Sequence, residues 1–320
     1  MTYLVTGAGP VGATVAEQLA ARGEHVRLAT RSGSGPQHQL IERIGLDVND
    51  SAGLRAAAED VTAIFHCIHG SKYQAAAWRA ELPGAERAVM DTAAEVGAVV
   101  VFPESLYSYG QVTGPMSEAT PSSATTGKLG VRAELIRARA EHATHTVSMV
   151  ASDFYGPRVR TALAGERMIP RLLAGQSVQT LGRLDTPHSF TYVPDLAAAM
   201  IAAAGEPEAW DRVLHAPTAP ALTQRELVRA FAEAAGVPVP RILAVPIWAL
   251  RGLGVVSGQV REAAETGYML ERPFVMTSSL TEELLELQPT PLAEGIEATL
   301  AYWRSCEHMG SGVSGADYVA

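Results

Sequence analysis

The stretch Tyr3-Leu4-Val5-Thr6-Gly7-Ala8-Gly9-Pro10-Val11-Gly12-Ala13-Thr14-Val15 decides how this chain is read. A short apolar run ends at Thr6-Gly7, and helical spacing follows, with Val11, Val15 and Leu19 on one face and Gly23 closing the helix. Between strand and helix lies Gly-x-Gly-x-x-Gly. Gly7 permits the tight turn, Gly9 lets the backbone approach a pyrophosphate, and Gly12 lets helix and strand pack closely. The helix N-terminus at Pro10-Val11 then faces the phosphate charge. Glycine turns are common, so it is the strand–turn–helix context that reads as dinucleotide binding.

Outward from this motif, strand and helix signals alternate. His25 to Ala29 reads as a second strand, and a Gly/Ser-rich loop leads to a short strand ending near Leu46-Asp47. Val61 to Ile68 follows an Ala-rich helix, and a longer helix covers Gln74 to Val96. Ala98-Val99-Val100-Val101-Phe102 is a continuous run of the kind found in strands buried on both faces. After a helix ending near His142, Thr146 to Ala151 supplies another strand. The alternation predicts an α/β fold, a Rossmann-type doubly wound parallel sheet, over residues 1–152. Pro and Gly punctuate the remainder, where Asp195 to Ala204 and Gln224 to Ala235 read as helices and Thr281 to Leu287 starts another. A smaller substrate-binding portion is expected over 153–308, with some segments, notably Tyr192 to Ala204, returning to the sheet. Residues 309–320 read as a disordered tail.

Composition narrows the function. The 320 residues carry a formal charge of −9 and a pI near 5.5, which argues against a nucleic-acid or anionic-membrane surface. Cys67 and Cys306, the two cysteines, make neither a disulfide framework nor a paired metal site. No HxH or HExxH spacing joins His66, His69 or His188 to acidic ligands, so no metal is expected. No apolar run reaches the roughly 18–20 residues of a membrane span; Ile242 to Val256 is broken by Pro246, Arg251 and two glycines. The N-terminus shows no basic leader or cleavage site, and a soluble, cytoplasmic protein is the expectation. Lys72 and Lys128 are the only lysines among 25 Lys plus Arg, so any lysine chemistry must use one of them.

The end of the second strand bears on the cofactor. An Asp or Glu about 20 residues on would bind the ribose 2′-hydroxyl of NAD. Ala29-Thr30-Arg31-Ser32 has no carboxylate, and Arg31 offers a guanidinium that matches a 2′-phosphate. NADP(H) is the expected cofactor, with a solvated loop arginine as the plainer reading.

The chain resembles the extended and atypical short-chain dehydrogenase/reductases, the NAD-dependent epimerase/dehydratase group, over nearly its whole length. The residues that carry this are the glycine turn, Leu46-Asp47-Val48, Phe65-His66-Cys67-Ile68, and Ser105-Leu106-Tyr107-Ser108-Tyr109-Gly110. Asp153-Phe154-Tyr155-Gly156-Pro157-Arg158 and Phe190-Thr191-Tyr192-Val193-Pro194-Asp195-Leu196-Ala197 complete the set. The glycine turn is one residue shorter than the extended form, which points to an atypical branch. The resemblance implies that Asp47 and Val48 contact adenine, that Cys67 lines the cofactor groove, that Phe154 and Tyr155 border the nicotinamide, and that Ser105 fills the catalytic serine slot. It also implies a Tyr and, four residues later, a Lys. Aligning on Ala133-Glu134 puts Thr126 and Gly130 in those slots, and Lys128 two positions early.

Three readings of this departure stay open. Tyr107 replaces the missing acid, with Tyr109 and Tyr155 nearby and Lys128 reaching the ribose or tuning Tyr107. Alternatively the chemistry is non-redox, isomerase- or lyase-like, or the protein only senses NADP(H). The expected activity is NADP(H)-dependent oxidoreduction of a small organic carbonyl, imine or hydroxyl compound. Ser105 would bond the reacting oxygen and Tyr107 would donate the proton, with Tyr109 and His188 facing substrate. The resemblance allows a homodimer, which the sequence pattern itself does not specify.

Overall fold

In the computed structural model, which describes residues 1–249 and 265–308, the Val99–Phe102 run is buried on both faces, as its composition requires. It forms most of β5 (Val99–Ser105), near the middle of a seven-stranded parallel sheet. The other strands are β1 (Thr2–Thr6), β2 (His25–Thr30), β3 (Ile41–Gly45), β4 (Ala63–His66), β6 (Thr146–Ala151) and β10 (Arg212–His215). The order is β10-β6-β5-β4-β1-β2-β3. Val101 stands in register with Phe65 on one side and Val147 on the other. The order reverses between β1 and β4, the switch point where open α/β sheets bind ligands at their carboxyl ends. This is a Rossmann-type doubly wound fold.

Alternation along each strand feeds two cores. Val5, Val99 and Val101 point to the face covered by α1 (Pro10–Ala21) and α6 (Val193–Ala204). Leu4, Val100 and Phe102 point to the face covered by α2 (Ser51–Ala57) and α3 (Ala75–Val96). Helix α4 (Gly127–Ala140) lies beside α3, with Val131 and Leu135 packed on Trp78 and Leu82. Strand β7 (Asp153–Tyr155) pairs with β9 (Phe190–Tyr192), and β8 (Val178–Leu181) pairs with β11 (Ile242–Val245). A third core joins α5 (Ile169–Leu173), α7 (Gln224–Ala235) and α9 (Leu292–His308), with α8 (Ser279–Leu284) preceding α9.

Some elements differ from the sequence expectation. Residues Tyr192 to Ala204 return to the sheet as a helix laid on its face, whereas the strand added to its edge is β10. Four residues, Arg-Val-Leu-His, are too few to show a period, which is why that strand was not anticipated. Helix α9 was also missed, because Pro289, Pro291 and Gly295 punctuate its start. Gly295 is needed there: a Cβ would come within 2.7 Å of the Tyr155 hydroxyl. The 309–320 tail and the later part of Ile242–Val256 lie outside the described residues. Among those residues, no helix is long and apolar enough to cross a membrane.

Candidate functional site

The glycine turn sits at the carboxyl end of β1. Gly7 has φ +92°, and a Cβ there would come within 2.9 Å of the Cys67 carbonyl oxygen. A Cβ on Gly12 would overlap the Gly7 carbonyl oxygen and crowd the Cys67 side chain. Gly9 is different. It is the N-cap of α1, Pro10 follows at the first helical position, no side chain caps the helix, and its missing Cβ faces open space. The first turn of α1 carries no acidic residue either. Bare helix N–H groups behind an open glycine fit a dinucleotide pyrophosphate. Gly9→Ala is therefore expected to fold normally and lose at least about tenfold in dinucleotide affinity. Gly12→Ala should instead lose about 1–3 kcal/mol of stability by overpacking. Thermal denaturation and nucleotide titration of the two variants separate these outcomes.

At the ends of β2 and β3, Arg31 is exposed, and Ser32 and Ser34 share a hydrogen bond of 2.8 Å beside it. The Asp47 side chain accepts from the Asn49 backbone and side-chain nitrogens, both at 2.9 Å. Those bonds, with a smaller contribution from Arg31, hold its carboxyl below the ordinary range. Val48 is buried in the core beneath it.

At the end of β4, the Cys67 backbone and Cβ pack on the glycine turn, and burial pushes its thiol up to about 12, so it stays protonated. His66 is buried and bonded through Nδ1 to Thr6 at 2.8 Å; burial, then Arg139 and Arg132, bring its pKa down to about 3 and keep it neutral. At the end of β5, the Ser105 hydroxyl donates to Glu104 Oε1 at 3.3 Å, and its backbone N–H donates to the same oxygen at 2.8 Å. Glu104 is itself buried and held by Arg139, which bonds its Oε2 at 3.0 Å and clasps Glu86 through two further nitrogens at 2.6 and 2.7 Å. A charged cluster thus anchors the serine from below.

Beyond Ser105 comes a single 3-10 turn, Leu106–Tyr109, which carries two of the sequence-predicted phenols. Tyr109 is 1% exposed and its oxygen lies 2.7 Å from His215 Nε2. His215 Nδ1 donates to the Thr277 carbonyl at 2.6 Å, and burial lowers its pKa, so the neutral ring takes the Tyr109 proton. That proton is committed, although the Tyr109 side of a cavity of about 220 Å³ is shared with Gln111, Ser123 and Thr126. Tyr155 is a core residue, 1% exposed and packed on Tyr192, while Phe154 packs at the edge of the sheet core. Tyr155 therefore borders no groove. His188 is buried, bonded through Nε2 to Asp153 at 2.7 Å, with Phe190 and Phe274 against its ring. It braces Asp153 and does not face a ligand itself.

Tyr107 remains. Its hydroxyl lies 2.7 Å from that of Tyr73, a residue the sequence reading passed over, and its ring stacks on Trp78 at 6.4 Å. Burial, then the neighbouring Tyr73 and Asp153, raise its pKa well above the ordinary phenol value. Lys128 is fully buried; its Nζ pairs with Glu265 at 2.7 Å and lies 4.7 Å from the Tyr73 ring centre. Its field acts on Tyr73, where the sequence reading had it reaching the ribose or tuning Tyr107. The lysine slot at Gly130 is closed, since a Cβ there would lie 2.6 Å from the Thr125 carbonyl carbon.

Comparison with curated proteins returned no match. Among solved structures, UDP-glucose 4-epimerase of Thermotoga maritima, crystallised with UDP-glucose, superposes with a TM-score of 0.74 at 18% identity, covering 96% of this chain and all of that one. Thermus thermophilus UDP-glucose 4-epimerase, in complex with NAD, gives 0.74 at 22% identity over 95% and 99% of the two chains. The Streptomyces venezuelae dTDP-glucose 4,6-dehydratase DesIV, a double mutant with NAD and DAU bound, gives 0.74 at 17% over 97% and 98%. These likenesses establish the fold. The family model described as "NAD dependent epimerase/dehydratase family" matches residues 3–213, from β1 through β10 and including the glycine cradle and the Ser105–Tyr109 turn. The chain belongs to the NAD dependent epimerase/dehydratase family.

Proposed function

We propose that the protein binds a nicotinamide dinucleotide, NADP(H) in preference to NAD(H), and uses it on a small organic compound bearing a carbonyl, imine or hydroxyl group. The observation that carries this reading is the phenol of Tyr107, hydrogen-bonded to the Tyr73 hydroxyl and two residues beyond Ser105 at the carboxyl end of the sheet that holds the glycine cradle. Gly7, Gly9 and the first turn of α1 hold the pyrophosphate, and Arg31 with its serine neighbours receives the 2′-phosphate. When bound, the nicotinamide supplies or accepts a hydride at a substrate carbon. Tyr107 donates a proton to the substrate oxygen or nitrogen, and its raised pKa keeps it protonated throughout the neutral range. Ser105, whose proton points to Glu104, presents lone pairs to a substrate hydroxyl and turns its O–H outward for a carbonyl.

The test is NADPH fluorescence on binding, followed by NADPH oxidation against a panel of small carbonyls and imines. Saturable binding with turnover of at least one compound is expected; no binding at millimolar NADPH overturns the proposal. Arg31→Asp should weaken NADPH by about 10- to 100-fold, the worth of charge-assisted hydrogen bonds, and leave NADH nearly unchanged. Equal losses for both would remove Arg31 from 2′-phosphate recognition. A second reading, cofactor binding without redox turnover, is favoured by Thr126 and Gly130 in the tyrosine and lysine slots. It predicts the fluorescence change with no oxidation of NADPH by any panel member.

A further inference from the structure

An acid must be reprotonated after each turnover, and the surroundings of the half-buried Tyr107 offer one route. Its ring is covered by Trp78, and its hydroxyl meets that of Tyr73 at 2.7 Å. Tyr73 is 41% exposed against the half-buried Tyr107, so it is the more open to solvent of the two. Three contacts fix it: the Trp78 ring edge-on at 5.4 Å, the Lys128 ammonium at 4.7 Å from its ring centre, and the Thr266 hydroxyl at 3.4 Å. Lys128 is in turn clamped by Glu265, which also accepts from the Lys128 backbone N–H at 3.1 Å. Two phenols at hydrogen-bond distance, one covered and one open to water, make a proton wire of one link.

We propose that Tyr73 is the relay that returns a proton to Tyr107 after Tyr107 has acted as the acid. The inference rests on the reading of Tyr107 as proton donor. When the Tyr107 O–H bond breaks and its proton joins the substrate oxygen, the phenolate left on Tyr107 takes the proton of Tyr73. Water then reprotonates Tyr73, leaving hydroxide to the buffer, so charge and protons balance over the cycle. In the reverse direction each transfer runs backwards.

The charges around the pair suit this division. Lys128 with Glu265 stands over Tyr73, Asp153, backed by His188, faces both phenols, and Arg132 lies 4.9 Å from the Trp78 ring centre on the Tyr107 side. The Tyr73 pKa is raised by burial and by Asp153, while Thr266, Tyr107 and Lys128 pull it down. Burial, Tyr73 and Asp153 all push Tyr107 up, and only Arg132 opposes them. The Lys128 ammonium, 4.7 Å from the Tyr73 ring centre, favours a missing proton on Tyr73 and so keeps Tyr107 loaded.

Tyr73→Phe keeps the ring against Trp78 and removes only the hydroxyl, which separates proton transfer from packing. The first measurement needs no cofactor: ultraviolet phenolate titration of the wild type, Tyr73→Phe and Tyr107→Phe. In Tyr73→Phe the Tyr107 phenol should titrate at lower pH than in the wild type, because a neighbouring negative charge is lost. In Tyr107→Phe the Tyr73 phenol should titrate higher, because a stabilising hydrogen bond is lost. Midpoints that do not move overturn the coupling. The second measurement uses NADPH and the panel carbonyl with the fastest turnover. Tyr73→Phe should lower kcat by about tenfold, the low end of proton-transfer effects, with KM unchanged, and added imidazole buffer should restore the rate. A wild-type kcat in Tyr73→Phe, or a deficit no small acid repairs, overturns the relay. If Tyr107→Phe is inactive in that case, Tyr107 remains the acid; if Tyr107→Phe turns over normally, the acid assignment falls as well.

Discussion

Replacing Tyr107 by phenylalanine is expected to lower turnover by about 10²-fold or more while NADPH binding stays at the wild-type level. The other hydroxyls at the carboxyl ends of β5 and β6 are engaged elsewhere or are weaker acids. Tyr109 gives its proton to His215, which has no other partner for Nε2 once Nδ1 is bonded to the Thr277 carbonyl. Tyr155 is packed in a core with Tyr192. Thr126, in the slot where the resemblance implies a tyrosine, carries an aliphatic hydroxyl, far weaker as an acid than a phenol. Of the two phenols on the Ser105 turn, Tyr107 is the one not bonded to His215. Phenylalanine keeps its stacking on Trp78, so the melting temperature should barely change and the loss should fall on kcat. NADPH oxidation against the most active panel compound measures it, and a rate within twofold of wild type would place the acid elsewhere.

Arg139→Met should destabilise the protein by about 3–5 kcal/mol, the cost of stranding buried charges. Arg139 is 2% exposed and bonds Glu86, Glu104 and the Ser148 hydroxyl together. Without it Glu86 loses the guanidinium that clasps it, and Glu104 keeps the longer approach of Arg132, at 3.5 Å. Arg55, which pairs with Glu95 at the surface, provides the contrast: Arg55→Ala should cost no more than about 1 kcal/mol. Denaturant midpoints of the two variants, with slopes checked for equality, decide the matter. An Arg139→Met protein within 1 kcal/mol of wild type would mean that the carboxylates pick up protons or water at little cost. The same variant should disturb Ser105, because Glu104 is the carboxylate that orients it.

The parts of this structure that announce themselves in sequence are those with a period or a steric requirement. Ala98 to Phe102 is buried throughout, and five consecutive apolar residues, four of them β-branched or aromatic, suit a strand covered on both faces. Gly7 and Gly12 are legible because backbone crowding leaves no room for a side chain. The partners within the site are not legible in this way. Glu265 stands 137 positions from Lys128, and no local spacing connects them. Tyr73 follows Ser71-Lys72 in a loop without periodicity, and its meaning comes only from the approach of Tyr107 across 34 positions. Glu104 lies beyond the Ala98–Phe102 run that the sequence marks as a strand, and its burial depends on Arg139 arriving from α4. Lys128 was singled out because lysine is scarce, yet its direction was set by helix geometry and by Glu265.

Gly130 has a consequence for how this protein can change. If its slot were merely empty, two substitutions, at positions 126 and 130, would supply the tyrosine–lysine arrangement that the resemblance implies. The Thr125 carbonyl blocks the second of them, so the path between the two chemistries runs through a rebuilt entry to α4 and not through single point mutations. Any lineage or laboratory selection moving along it must first shift the backbone over residues 125–130, at the place where Glu265 holds Gly127 and Lys128. The present arrangement of phenols is therefore separated from a tyrosine–lysine dyad by a packing barrier, and selection acting on it would more readily tune the phenol pair than build the dyad.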